Sequence, residues 1–163
     1  MKKLSLIIII IFSLSFVSYS NAEDIFTYAE NIQKEIDSSL DNYAKAEDKE
    51  VKKFALVFAL LLNDRAFDNI GKWVVDNAKK ISNDSSIDDT KELYTLQALN
   101  LVRKSLLTSI CRNYNRIALC DMEMKLFDEA KSIYRKVIRE FDPDDFKNCF
   151  VEAEVTLREL ANK

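Results

Sequence analysis

The chain has 163 residues, with 24 Lys and Arg against 27 Asp and Glu, no His, one Gly and one Pro. Its formal net charge of −3 argues against a nucleic-acid partner, because neutralising phosphates requires a basic surface. The lack of His excludes Ser-His and Cys-His nucleophile pairs and His-bearing zinc sites, and a single Gly excludes a Gly-rich phosphate loop. We therefore expect no enzyme activity, no cofactor and no metal.

Residues 1–22 have the three parts of a secretory signal peptide. Two lysines give a positive start, residues 4–17 are apolar apart from three serines, and residues 20–22 (Ser-Asn-Ala) supply the small residues that a signal peptidase requires. The alternative is an uncleaved anchor, but a spanning helix needs about 20 predominantly apolar residues and this run is shorter. We predict cleavage after Ala22, a periplasmic or secreted protein, and no stable membrane insertion after cleavage.

The remaining residues, 23–163, are enough for one domain with a hydrophobic core. A chain so poor in Gly and Pro has few tight turns, which favours long helices joined by short polar connections. Apolar residues recur with a helical period from residue 25 onward, and no segment alternates as a strand does. The sequence therefore predicts an all-α domain of about seven helices.

Three helices are expected in the first half of this domain. The first carries one apolar stripe over residues 25–43. The second, near residues 50–62, is apolar almost all round, which is typical of a central helix covered on several sides. A break with an N-cap is expected at residues 63–64, before a third helix that extends to Ile81.

Four helices are expected in the second half. A polar loop at residues 82–89 precedes the fourth, and a boundary near residues 108–113 separates it from the fifth, although one continuous helix also fits this pattern. The sixth helix is expected over residues 128–140. Residues 142–143 (Asp-Pro) are a start signal for the seventh, because Pro fits the first helical position and Asp caps it.

Residues 111–143 resemble a tetratricopeptide repeat, a helix-turn-helix unit of about 34 residues whose helices touch through small side chains. Ala118 and Ala130 stand where those small residues are expected. The surrounding apolar positions of the unit are filled by Tyr114, Ile117, Phe127, Tyr134 and Val137. One departure is Asp121, which stands where the repeat has a large residue.

A second copy of the same spacing predicts another repeat near residues 52–84. Ala59, Gly71 and Ala78 are separated by 12 and 7 residues, as are the corresponding positions of the first unit. Gly71 is expected at a close helix contact, because glycine costs a helix about 1 kcal/mol elsewhere. The resemblance implies a superhelix of antiparallel helical hairpins; the alternative is a non-repeating helical bundle.

The resemblance also implies a partner-binding face on the inner side of the fifth helix. The candidate partner-binding residues are Arg112, Asn115, Arg116, Leu119, Met122 and Glu123. The two arginines are suited to a carboxylate of the partner, because guanidinium groups bind carboxylates through paired hydrogen bonds. The alternative is that Arg112 and Arg116 are solvated and pair with Asp121 or Glu123.

Three cysteines lie late in the chain, at positions 111, 120 and 149. An oxidising compartment favours a disulfide. Cys111 and Cys120 are nine residues apart and lie on opposite sides of a continuous helix, so Cys149 is expected to pair with one of them. The alternative is three buried thiols that act as small apolar side chains.

These observations predict an exported protein–protein interaction module or assembly factor of the bacterial cell envelope. Its expected partner is another envelope or secreted protein. The alternative from a different class is a helical bundle that holds a small apolar ligand or has a purely structural role.

Overall fold

The computed structural model describes residues 22–83 and 89–161, of which 91% are helical with no strand among them. The helices are α1 (Ala22–Lys45), α2 (Lys49–Asn83), α3 (Asp89–Glu123), α4 (Phe127–Glu140) and α5 (Lys147–Ala161). The all-α prediction is confirmed, but the described residues form five helices rather than about seven. The predicted signal peptide, apart from Ala22, lies outside the described residues, as do residues 84–88 of the polar loop.

The predicted break at residues 63–64 is wrong, because α2 runs through it as one helix of 35 residues. Asn63 is buried, and its side-chain amide donates a hydrogen bond to the carbonyl of Ala59, one turn earlier, at 2.7 Å. Asn favours helix caps because its side chain competes for backbone hydrogen bonds. Here that bond is made inside the helix, and the apolar positions on both sides of Asn63 keep α2 packed between its neighbours.

The continuity of α2 also removes the second predicted repeat. Residues 52–83 belong to a single helix, so Ala59 and Gly71 do not lie on two helices joined by a turn. Residues 111–143, in contrast, contain the end of α3, a turn and α4. The turn contains Lys125 with φ of 63°, a left-handed conformation that non-glycine residues rarely adopt.

The boundary predicted near residues 108–113 is also absent, because α3 is the continuous alternative. The expected sixth helix is confirmed as α4. The last helix begins at Lys147, later than the predicted start at residues 142–143. Asp142 does not cap it: its Oδ1 accepts a hydrogen bond from the backbone N–H of Asp144 at 2.8 Å, which stabilises a turn ahead of the helix.

Each helix packs against the next one in the chain, and α5 also contacts α3. The buried apolar residues form two clusters. The N-terminal cluster consists of Ile25, Ile32, Ile36, Leu62, Ala66, Ile70, Val74, Leu99 and Leu106. The C-terminal cluster consists of Leu56, Leu60, Ile110, Cys111, Ile117, Ala118, Cys120, Ala130, Tyr134, Val137, Phe141, Cys149, Ala153 and Leu160. Because α2 and α3 contribute to both clusters, they form the centre of the fold, as expected for the apolar segment at residues 50–62.

Polar contacts fix α1 along α2 at two places. The hydroxyl of Ser39 donates to the carbonyl of Ala55 at 2.7 Å, and Nδ2 of Asn69 donates to the hydroxyl of Tyr28 at 2.9 Å. The start of α2 is capped by Asp48, whose Oδ1 accepts the backbone N–H groups of the second and third helical residues.

Candidate functional site

The six predicted partner-binding residues do not share one surface. Arg112, Leu119 and Glu123 are exposed, and their spacing of seven and four residues places them along one side of α3. Arg116 and Met122 are half-buried, and Asn115 is 1% exposed. Only these three of the six residues are therefore exposed together on one side of α3.

Asn115 has a structural contact instead of the predicted partner contact. Its Nδ2 donates to the backbone carbonyl of Cys149 at 2.9 Å and to Oε2 of Glu152 at 3.0 Å. Both acceptors belong to α5, so Asn115 holds α5 against α3. The prediction that Asn115 faces a partner is wrong because α5 folds back over this side of α3, a contact between residues more than thirty positions apart.

Arg116 and Met122 are also engaged within the chain. The Cζ atom of Arg116 lies 5.9 Å from the ring centroid of Tyr43, at cation–π distance. The Sδ atom of Met122 accepts a hydrogen bond from the Tyr134 hydroxyl at 3.8 Å. Both residues thus make contacts within the chain while part of each side chain stays exposed, so their partner-binding role stays a prediction.

The alternative, in which the arginines pair with nearby acids, does not occur either. Asp121 is paired with Lys53, and the Glu123 carboxylate lies 3.8 Å from Nζ of Lys49. Both acids thus join α3 to the beginning of α2. Arg112 projects from α3 with no acidic partner among the described residues.

The ion pair of Asp121 with Lys53 is the polar feature that sequence analysis missed. Asp121 is completely buried, while the Lys53 side chain is 31% exposed. Oδ1 of Asp121 accepts from Nζ of Lys53, and Oδ2 has no hydrogen-bond partner. The available signal was the departure of Asp121 from the repeat pattern, since a carboxylate at an apolar position requires a cation from another element.

The structure contains a disulfide between Cys111 and Cys149, one of the two predicted pairings, with Cα atoms 6.2 Å apart. It joins α3 to α5 next to the Asn115 contact. Cys120 is free and buried, and burial raises the pKa of its thiol above the ordinary value. The Cys120 thiol is therefore protonated at neutral pH and a poor nucleophile.

The outward side of α3 carries large apolar side chains in contact with solvent. Tyr94 is 66% exposed and Leu101 is 71% exposed. Arg112 and Leu119 follow further along α3 and are also exposed. The intervals of 7, 11 and 7 residues place all four side chains on one side of the helix. We call Tyr94, Leu101, Arg112 and Leu119 the outer stripe of α3.

Among the described residues, no three potential ligands of the Cys, Asp or Glu type are grouped to hold a metal ion. In the same part of the chain, no helix has both the length and the apolar character that crossing a membrane requires. The chain matches no protein-family model, and comparisons with curated proteins and with solved structures gave no match.

Proposed function

We propose that this chain is an exported helical scaffold that binds another envelope or secreted protein through the outer stripe of α3. It positions its partner and catalyses no reaction. The observation that carries the proposal is the exposure of Tyr94 and Leu101, which lie two turns, about 10 Å, apart on a rigid helix. Contiguous exposed apolar patches rimmed by polar residues are typical of protein-binding surfaces, and Leu93, 54% exposed, adjoins Tyr94 on this helix.

Arg112 supports the same surface chemically. It lies three turns beyond Leu101 on the stripe and has no acidic partner among the described residues. Tyr and Arg are the side chains that most often anchor protein interfaces, because each combines a broad apolar area with directional hydrogen bonding. The proposed partner therefore presents an apolar patch followed by a carboxylate.

Export is supported by two independent features. The first 22 residues have the pattern of a cleavable signal peptide. The disulfide of Cys111 with Cys149 is a bond that persists in oxidising compartments and is rare in the cytosol. We place the mature protein, from residue 23 onward, in the periplasm or outside the cell.

The proposed architecture is a row of antiparallel helical hairpins whose last hairpin is tetratricopeptide-like. Its pairing of α1 with α2 is supported by the bond of Ser39, late in α1, to Ala55, early in α2. The bond of Tyr28, early in α1, to Asn69, later in α2, agrees with this direction. Ala118 and Ala130 are both 0% exposed, which supports the close helix contact expected of the last hairpin.

Site-specific photo-crosslinking in the cell tests the binding surface. A photoreactive amino acid replaces Leu101 in the full chain, and a control chain carries it at Val155, an exposed apolar position on α5. We expect a discrete adduct with one envelope or secreted protein from position 101 and none from position 155. The same pattern of adducts from both positions, or no adduct from position 101, contradicts the proposal.

Export is tested separately by N-terminal sequencing and thiol counting on the protein from the envelope fraction. The expected N terminus is Glu23. Unfolding without a reducing agent is expected to expose one alkylatable thiol, that of Cys120, and reduction is expected to expose three. An intact Met1 or three free thiols without reduction contradicts export to an oxidising compartment.

A further inference from the structure

The guanidinium of Arg103, on α3, lies against the surface of α2 next to Phe67 and Gly71. Its Cζ atom lies 4.4 Å from the ring centroid of Phe67. A Cβ atom at Gly71, one turn further along α2, would lie 2.9 Å from Nη2 and 3.0 Å from Cζ of Arg103. Gly71 is therefore at a close contact between α2 and α3, as its presence in a helix suggests, but the group that approaches it is a guanidinium.

This guanidinium lacks the partner that a partly buried charge requires. Nε of Arg103 is fully covered by protein and has no hydrogen-bond acceptor. Arg103 makes no ion pair with any Asp or Glu of the described residues, whereas Arg139 and Arg158 each pair with a neighbouring glutamate. Desolvating a cation is unfavourable unless an anion compensates for the lost water.

The two terminal nitrogens of the guanidinium are the ones an acceptor can reach. Phe67 attracts the group by a cation–π contact, and Nε is covered by protein, whereas Nη1 and Nη2 are not among the covered nitrogens that lack a partner. The planar fork of a guanidinium matches the two oxygens of a carboxylate. Arg103 lies on the side of α3 that faces α2, opposite the outer stripe, so it is separate from the surface described above.

We propose that Arg103, in contact with Phe67 and next to Gly71, is a binding site for a single carboxylate. The carboxylate is either an acidic side chain of a peptide or a small organic acid. The site is independent of the proposed partner-binding stripe. Arg103 supplies the charge and the donors, Phe67 attracts the guanidinium by its cation–π contact, and Gly71 gives it room. Binding supplies the anion that the fold itself does not place beside this arginine.

The test follows the Nε–H signal of Arg103 by NMR during titration of the full mature chain at constant ionic strength. The probes are propionate, acetyl-Ala-Glu-Ala-amide and the matched peptide with Gln in place of Glu. We expect the glutamate peptide to bind about tenfold more tightly than its glutamine counterpart, the factor typical of a charge-assisted hydrogen bond. A glutamate peptide that binds more tightly than propionate identifies a peptide as the source of the carboxylate; equal affinity identifies a free acid.

Two variants must lose this tenfold preference. Arg103→Gln removes the charge. Gly71→Ala keeps the charge but places a Cβ atom in the space of the guanidinium, which must then move away from α2. Alanine also favours the helix, and an unchanged urea midpoint of this variant separates a loss of binding from a loss of folding. Arg135→Gln, at an exposed arginine of α4 outside both proposed surfaces, is the matched control and must retain the preference.

An unchanged Arg103 signal at the highest propionate concentration overturns the proposal. So does an equal loss of preference in the Arg135→Gln control, because that outcome reports only the net charge of the surface.

Discussion

At the scale of single residues, the completely buried carboxylate of Asp121 depends on one cation from another helix. Lys53 supplies that cation while keeping 31% of its side chain in contact with solvent. Removing one member of a buried ion pair leaves an uncompensated charge, whereas replacing both members by apolar groups is close to neutral. We therefore expect the interaction to fix the alignment of α2 with α3 more than it adds net stability.

Lys53→Met is expected to lower the free energy of unfolding by about 2 kcal/mol, somewhat less than the loss of a fully buried pair because Lys53 is partly exposed. The double variant Lys53→Met, Asp121→Leu is expected to recover most of this loss. Urea unfolding measures both. Lys49→Met is the matched control, since its partner Glu123 is exposed, and a similar loss in that variant would contradict the special role of Asp121.

The buried side chain of Tyr134 is expected to make the free energy of unfolding depend on pH. It is 0% exposed, and burial, opposed by a hydrogen bond with Thr156 and aided by the charge of Glu152, raises its pKa to about 12. An unfolded tyrosine has a pKa of about 10. The native state therefore holds this proton more tightly than the unfolded state. The stability that Tyr134 contributes in this way is fully present below about pH 10 and is lost as the pH rises toward 12.

Urea unfolding at a series of alkaline pH values checks this expectation. The midpoint of the wild-type protein is expected to fall between pH 10 and 12 more steeply than that of Tyr134→Phe, which retains the ring but has no proton to lose. Parallel curves for the two proteins would show that another group controls the alkaline transition.

At the scale of elements, the unexpected feature is the length of α2 and α3, each of 35 residues. Local signals at Asn63 and at the polar positions of α3 favoured helix ends, but the helices continue through them. Helix stability in a folded protein comes mainly from the packing of an apolar face, and residues such as Ala66 and Ile70 continue that face beyond Asn63.

A proline at position 64 distinguishes one helix from two. Asp64→Pro is expected to cost about 3 kcal/mol or more relative to Asp64→Ala, because it removes a hydrogen bond inside α2 and clashes with the preceding turn. Lys49→Pro, at the first residue of α2, is expected to match Lys49→Ala, since proline fits that position. Urea midpoints compare the four proteins, and a harmless proline at position 64 would restore the predicted boundary.

At the scale of the whole molecule, the two apolar clusters are joined by shared elements. Leu56 and Ile70 lie on the same helix but belong to different clusters, and Leu40 and Phe67 pack against both. Because α2 and α3 contribute residues to both clusters, disruption of one cluster is expected to destabilise the other. We therefore expect the described part of the chain to unfold as one cooperative unit.

Leu56→Ala tests this coupling. The substitution removes apolar contacts from the C-terminal cluster and is expected to cost about 2–5 kcal/mol. Fluorescence of Trp73, the only tryptophan, which packs against the N-terminal cluster, should report the same lowered midpoint as far-UV circular dichroism. Ile70→Ala, within the cluster that contains Trp73, is the matched variant. A fluorescence midpoint that does not move in Leu56→Ala would mean that the clusters unfold separately.

Composition and helical period were enough to predict the all-helical fold and the central position of the second helix. The sequence also predicted small residues at a close contact, Ala118 and Ala130, which are both buried. For the cysteines it left either a bond of Cys149 with Cys111 or Cys120, or three buried thiols. These features depend on composition and on the helical period, which a chain carries locally. The sequence could not determine the number of helices, because the local break signals at residues 63–64 and 108–113 compete with packing that only the folded chain supplies.

Which polar residues are buried and which face solvent follows from the packing of the helices and not from the local sequence. Asn115 is covered by α5, Asp121 forms an ion pair with Lys53, and Gly71 leaves space for the guanidinium of Arg103. Each of these contacts joins residues more than thirty positions apart. Such pairings depend on how helices align in space, and helical period alone does not specify the neighbour of a given face. The same alignment leaves Tyr94 and Leu101 exposed on the outer stripe of α3, where we propose that the partner binds.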